Sequence, residues 1–132
     1  MISVRGRYVK GLDKARYFMS LKLYREIFST LIGREPFEGT FNIEVENISS
    51  YRDLMNMCSR YIVIPDQYYD GRVFGGLYIW FGEIERIGRV LVVRPFRSAH
   101  KENILEIVSD KRIRDELGID YGGYVDIKIL CE

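Results

Sequence analysis

Apolar and polar residues alternate from Ile2 to Val9, the period of a strand with one face buried. Gly11 interrupts the pattern, and the polar run Asp13-Lys14-Ala15-Arg16 follows it. From Tyr17 to Ile32 the period lengthens: Tyr24, Ile27, Phe28, Leu31 and Ile32 share one face of a helix, and Lys22, Arg25 and Glu26 fall elsewhere. Gly33 and Pro36 end that helix. Pro36 to Gly39 reads as a turn and Phe41–Val45 as a short alternating strand. Ser49-Ser50 is placed to cap a brief helix over Tyr51–Cys58, and Tyr61–Ile64 is a strand stopped by Pro65. Asp70-Gly71 marks a turn. Long strands are predicted over Arg72–Glu85, with a bulge or bend at Gly75-Gly76, and over Arg89–Arg94, the two joined by a hairpin near Ile87-Gly88. Ile104–Val108 is a further strand. Asp110 is placed to cap a short helix closed by Gly118, and Tyr124–Leu130 is the last strand. The expected fold is mainly β: a small closed barrel with one main helix and short helical decorations, in one domain over residues 1–132.

Composition narrows the function. The 132 residues are 47% hydrophobic and 30% charged, with 20 Lys+Arg against 19 Asp+Glu and a formal net charge of +1. Such a balance argues against a nucleic-acid coat or a polybasic membrane anchor. Two cysteines, Cys58 and Cys131, are too few for a disulfide scaffold or a four-Cys zinc site, and one histidine rules out multi-His metal sites. Arg5, Arg7 and Lys10 break any secretory apolar core. The longest uncharged stretch, Phe74–Gly82, is about half of the ~20 residues a membrane-spanning helix needs. A cytoplasmic location and a monomer, with no nucleic-acid or membrane partner, are the expectations.

Phosphate-loop, dinucleotide-binding, zinc-protease and serine-hydrolase signatures are absent, so the candidate chemistry lies in four less specific places. Thr40 and Asn42, two apart on an extended chain, can turn a hydroxyl and an amide oxygen to one face, hard neutral ligands for Mg²⁺ already bound to phosphates; an ordinary turn is the plain alternative. The junction Gly11-Leu12-Asp13-Lys14-Ala15-Arg16 between strand and helix offers free amides and two cations to a phosphate, or is a solvated connection. Lys111, Arg112, Ile113 and Arg114 open a short helix where acidic residues are usual, which suits a bound anion or a solvated basic face. Glu106 shares a strand face with Ile104 and Val108; alternation puts it on the outer, solvated face unless it lies beside a pocket. His100 reads as a loop histidine, and Arg94, Arg97 and Lys101 around it suggest a second anion site. The ten Tyr and seven Phe are assigned mostly to the core.

In order, Gly6-Arg-Tyr-Val-Lys-Gly-Leu, Tyr24-Arg-Glu-Ile-Phe, Pro36-Phe-Glu-Gly-Thr-Phe-Asn, Gly71-Arg-Val-Phe-Gly, Arg97-Ser-Ala-His, Leu105-Glu-Ile-Val, Arg112-Ile-Arg-Asp-Glu-Leu and Gly123-Tyr-Val-Asp-Ile resemble the archaeal CTP-dependent riboflavin kinases over nearly the whole chain. The resemblance implies a six-stranded cradle-loop barrel that transfers the γ-phosphoryl of CTP to the 5′-hydroxyl of riboflavin, giving FMN and CDP. It implies nucleotide binding by Gly11 to Arg16 and by Lys111 to Arg114, Mg²⁺ on Thr40 and Asn42, and flavin contacts from Ser98 and Glu106. Glu106 is then the group that orients or deprotonates the attacking hydroxyl. The chain departs from the family's pattern where Asp13 and Ala15 replace glycines of the nucleotide loop, where Ser98 replaces a threonine and where Asp110 replaces a proline. With that loop altered, a non-catalytic flavin- or nucleotide-binding barrel is the rival reading, and a nucleic-acid-binding barrel a third.

Overall fold

The computed structural model describes residues 1–11 and 21–132. Its element order is β1 (Ile2–Val9), α1 (Lys22–Ile32), β2 (Phe41–Val45), α2 (Tyr51–Met57), β3 (Ile62–Ile64), β4 (Gln67–Tyr69), β5 (Arg72–Phe74), β6 (Leu77–Ile84), β7 (Gly88–Pro95), β8 (Ile104–Val108), α3 (Ile113–Leu117) and β9 (Tyr124–Ile129). Six strands run antiparallel in the order β6-β7-β8-β2-β1-β9, and β6 pairs again with β9, so the sheet closes on itself. That closure leaves the apolar strands without open edges. The closing seam is short: Gly82 opposite Ile129 and Glu83 opposite Lys128. β3 adds to the free half of β6, and β4 and β5 form a separate hairpin.

Strand alternation builds two cores. Val90 and Val92 of β7, Leu105 and Ile107 of β8, Trp80 and Ile84 of β6, and Val125, Ile127 and Ile129 of β9 fill the barrel. The alternate residues Leu77, Ile79, Leu91, Val93 and Val108 form a patch on the outside of the wall, and α1 covers it with Tyr24 and Phe28. Each of these two aromatic side chains contributes about 1.5–3 kcal/mol by that burial. α1 ends as the sequence requires, at Gly33 with φ 84°. The start expected at Tyr17 lies outside the described residues.

Several boundaries differ from the pattern. The strand expected over Arg72–Glu85 is divided into β5 and β6 at Gly75-Gly76, where a Cβ on Gly76 would stand 2.5 Å from the Ile64 carbonyl oxygen. β4 goes unseen in the sequence because three residues carry too little periodicity; the Asp70-Gly71 turn, with φ 52° and 73°, joins it to β5. Ser50 caps α2 by accepting from the Asp53 amide. Asp110, by contrast, does not cap α3: Arg112 occupies the cap position without a side-chain bond, and Asp110 pairs with Arg34 at 3.5 Å. No helix among the described residues is long and apolar enough to cross a membrane.

Cys58, just after α2, and Cys131, just after β9, form a disulfide with Cα atoms 5.0 Å apart. The pair is no scaffold, but it ties the closing strand to α2, and the Trp80 indole donates to the Cys58 carbonyl at 3.1 Å from the adjoining wall.

Candidate active site

At the end of the barrel where β1 and β8 stop and β2 and β9 begin, a cleft of about 450 Å³ opens. Lys10, Gly11, Thr40, Ser109 and Lys111 to Arg114 line it together with Tyr8, Phe37 and Tyr121. Lys10 follows β1 and Arg114 lies in α3; Lys111 and Arg112 come from the β8–α3 connection, where the Ser109 hydroxyl accepts from the Lys111 amide at 3.0 Å and fixes the turn. α3 has only five residues and carries Asp115 and Glu116 in its first turn, so its dipole is already matched by its own carboxylates. What the segment offers an anion is side-chain charge. Arg112 and Arg114 are held by single contacts to Asp115 (3.5 Å) and Asp120 (3.1 Å), and the Lys111 ammonium donates to the Ile87 carbonyl at 3.1 Å. Lys10 has no ion pair among the described residues. Ile113 belongs to the barrel core, 3% exposed, and can serve a ligand only through its backbone.

One wall of the cleft is aromatic, which the sequence did not disclose. Tyr8 stacks on Phe41 with ring centroids 4.2 Å apart and meets Tyr121 in a tilted contact at 4.7 Å, and the guanidinium groups of Arg114 and Arg112 lie over Tyr121 and Phe37. Burial, reinforced by Tyr121, raises the pKa of Tyr8, which keeps it a neutral phenol. Tyr8 and Phe41 look like core in the alternation pattern because they are, yet both also line the cleft.

Thr40 connects this cleft to a buried polar group. In the β2–β8 ladder Asn42 stands opposite Glu106, so the two side chains share a face, and Thr40 precedes them at the cleft edge. Its hydroxyl oxygen is 3.4 Å from Asn42 Oδ1 and 3.4 Å from Glu106 Oε1. Asn42 is 3% exposed and Glu106 9%. Glu106 does share its face with Val108, as alternation requires, and that face is the outer one. The expectation of solvent there is overturned: its neighbours Val93 and Val108 belong to the outer patch that α1 covers, and Gly11 closes on Asn42 beside it. A Cβ on Gly11 would lie 2.2 Å from Asn42 Nδ2, so the glycine leaves the space the amide occupies.

Burial pushes the Glu106 pKa up to about 7, against the Thr40 hydroxyl bond and the Arg94 charge, which lower it. A carboxyl so placed exchanges its proton near neutrality. The three oxygens also form a test for a metal. The Thr40 hydroxyl is shared between Asn42 and Glu106 at 3.4 Å each, and hard oxygens with few charges suit a magnesium ion that brings phosphate ligands with it. Among the described residues no cluster of three His, Cys, Asp or Glu side chains offers a self-sufficient metal site.

The remaining candidates lie elsewhere. Leu12, Asp13, Lys14, Ala15 and Arg16 are outside the described residues. Ser98 does not line the cleft; it sits, half-buried, in the β7–β8 loop, where its hydroxyl accepts from the His100 amide at 3.1 Å. The second anion site expected from Arg94, Arg97 and Lys101 is not formed. Arg97 is paired with Asp66 through two contacts of 2.7 and 2.6 Å, and Arg94 is buried against backbone carbonyls. His100 is a loop histidine, its pKa lowered by burial and by Arg94.

A family model labelled for CTP-dependent riboflavin kinase, and described as a domain of unknown function (DUF120), matches residues 8–129. The riboflavin kinase of Sulfurisphaera tokodaii is 30% identical over 130 residues, 98% of this chain and 96% of that protein. Those of Sulfolobus acidocaldarius (29% over 130 residues, 98% of this chain and 82% of the relative) and Saccharolobus solfataricus (28% over 129 residues, 97% and 74%) are similar along the same length.

Proposed function

The chain belongs to the CTP-dependent riboflavin kinase family, and from that membership we propose that it is a riboflavin kinase, moving the γ-phosphoryl of a nucleoside triphosphate, CTP, onto the 5′-hydroxyl of riboflavin to give FMN and CDP. The observation that carries the reading is the position of Thr40: one hydroxyl at the edge of a basic cleft and 3.4 Å from a buried carboxylate. Phosphoryl transfer asks a protein mainly for alignment and for charge stabilisation around the transferred group, and those two needs are divided between the two sides of Thr40.

On the cleft side, Lys10 and Lys111 to Arg114, with the loop from Gly11 to Arg16, hold the polyphosphate. The Tyr8–Phe41–Tyr121 wall gives a planar base an apolar surface. Thr40 and Asn42 would hold magnesium, which when bound offsets phosphate charge. On the other side Glu106 accepts the proton of the 5′-hydroxyl as its oxygen bonds to the γ-phosphorus and the bond from phosphorus to the bridging β-oxygen breaks. Ser98 contacts the flavin. A carboxyl with a pKa of about 7 is matched to that task, being substantially ionised at neutral pH yet basic enough to take a proton.

The test is a product assay with riboflavin, Mg²⁺ and CTP, ATP, GTP or UTP in turn, FMN being resolved by chromatography. FMN from CTP alone is the expected result. FMN from another nucleotide keeps the kinase and moves the donor preference to Asp13 and Ala15. Flavin binding without FMN from any donor makes the protein a binding module.

A further inference from the structure

The β7–β8 connection, residues 96–103, has no regular structure, yet it is fastened at both ends by arginines. At its far end Arg94, 5% exposed, donates through Nη1 to the carbonyls of Lys101 (2.8 Å) and Ile104 (2.9 Å) and through Nη2 to that of His100 (3.1 Å). The Tyr51 ring of α2 lies 4.6 Å from its guanidinium carbon, and Nε is buried with no hydrogen-bond partner among the described residues. At the near end Arg97 grips Asp66, whose carboxylate also accepts from the Gly76 amide at 2.8 Å, and the Phe96 amide donates to the Gly76 carbonyl at 2.9 Å.

Burying a guanidinium with no carboxylate in ion-pair contact among the described residues carries a desolvation penalty that an apolar plug at this barrel end would not. The expense is explained if the loop must hold one shape, because a planar fork binds several carbonyls at fixed angles as no apolar side chain or lysine can. Between the two fastenings stands Ser98, half-buried, with its hydroxyl oriented by the His100 amide. Ile104, whose carbonyl Arg94 holds, begins the strand that carries Glu106 two residues later. One guanidinium thus fixes both the loop of Ser98 and the entry of the Glu106 strand.

We propose that Arg94 is a positioning residue for the acceptor substrate, holding the 96–103 loop so that Ser98 and Glu106 meet the flavin in a fixed relation. The proposal rests on the riboflavin kinase reading. It assigns the β7–β8 loop to riboflavin alone, and leaves the nucleotide cleft at the other end of β7 untouched.

The experiment compares the wild-type protein with Arg94→Met, which keeps the bulk of the side chain, and Arg94→Lys, which keeps the charge and can reach one carbonyl. KM for riboflavin, KM for the nucleotide, kcat and the melting temperature are measured for each. Arg94→Met raises the riboflavin KM by about tenfold or more, the scale of effect expected from a small misplacement of substrate-holding groups, and leaves the nucleotide KM within about twofold. Arg94→Lys recovers part of the loss. If Arg94→Met does not fold, the split between the two KM values in Arg94→Lys decides. A folded variant with an unchanged riboflavin KM, or with both KM values raised in parallel, overturns the positioning role. Absence of turnover in the wild type overturns the kinase reading instead; the positioning role is then tested by riboflavin binding, read from flavin fluorescence, which it predicts to weaken in Arg94→Met and which, if unchanged, refutes it.

Discussion

The two ends of this barrel use arginine in opposite ways. At the end holding the β7–β8 loop, Arg94 and Arg97 spend their donors on carbonyls and on Asp66, the Cys58–Cys131 disulfide ties α2 to the closing strand, and Trp80 joins the same corner. At the cleft end Lys10 has no ion pair among the described residues, Arg112 and Arg114 have one weak partner each, and the rings beneath them form an open wall. A cation whose donors are mostly engaged within the protein organises structure, whereas a cation left with donors to spare can receive an anion. The same residue type is therefore spent on architecture at one end and left accessible at the other, and only its acceptors tell which.

The largest effect expected belongs to the satisfied end. The disulfide closes a 73-residue separation, and chain entropy makes such a link worth about 4 kcal/mol. Cys131→Ser, or reduction, lowers the guanidinium midpoint accordingly and leaves the nucleotide KM of the folded protein unchanged; a changed KM would show that the two ends are not independent.

The next effect tests the carboxylate between them. Glu106 has a raised folded pKa, so between the unfolded value of 4.5 and about 7 the folded state holds a proton that the unfolded state has released. The contribution of this group to stability is therefore fully present below pH 4.5 and declines as pH rises towards 7, by about 3 kcal/mol for a shift of this size. Urea titrations of the protein free of nucleotide and divalent cation, at pH 4.5 and at pH 7.5, should show that loss in the wild type and not in Glu106→Gln.

Smaller, and confined to the cleft, is the effect of Arg114→Ala alone. One charge-assisted contact to a phosphate is worth about 1.5–3 kcal/mol, so the nucleotide KM rises tenfold or more while the riboflavin KM holds. A rise in the riboflavin KM alone would reverse the assignment of the two ends. Smallest is Asp66→Asn. The Arg97 bond holds the Asp66 pKa down at about 2, so the contribution of this exposed pair is present above pH 4 and lost as pH falls towards 2. The small difference in melting temperature between wild type and variant at pH 7 should persist at pH 5 and vanish near pH 2.

Much of this was legible in the order of residues. Closure of the barrel followed from strand count and the need to hide edges, α1 from its 3.6-residue period, and the shared face of Glu106 and its neighbours from strict alternation. Alternation could not show that the outer face at Glu106 is covered, because the cover comes from α1 and from Gly11, both distant in sequence. Nor could a cluster of Arg94, Arg97 and Lys101 be told from an anion site, since the acceptors are backbone carbonyls, which every residue has, and one aspartate some thirty positions away. The aromatic wall escaped for a related reason: Tyr8 and Phe41 serve the core and the cleft at once.

In this reading Glu106 acts on the acceptor hydroxyl from behind Thr40, and its charge serves the reaction rather than the binding of riboflavin. Glu106→Gln is nearly isosteric, so the most direct test is its turnover of riboflavin beside its affinity for riboflavin. The expected kcat is reduced at least tenfold, towards the ~10²–10⁴ scale of general-base catalysis, with riboflavin affinity changed less than about threefold. Unchanged turnover in the folded variant would contradict it.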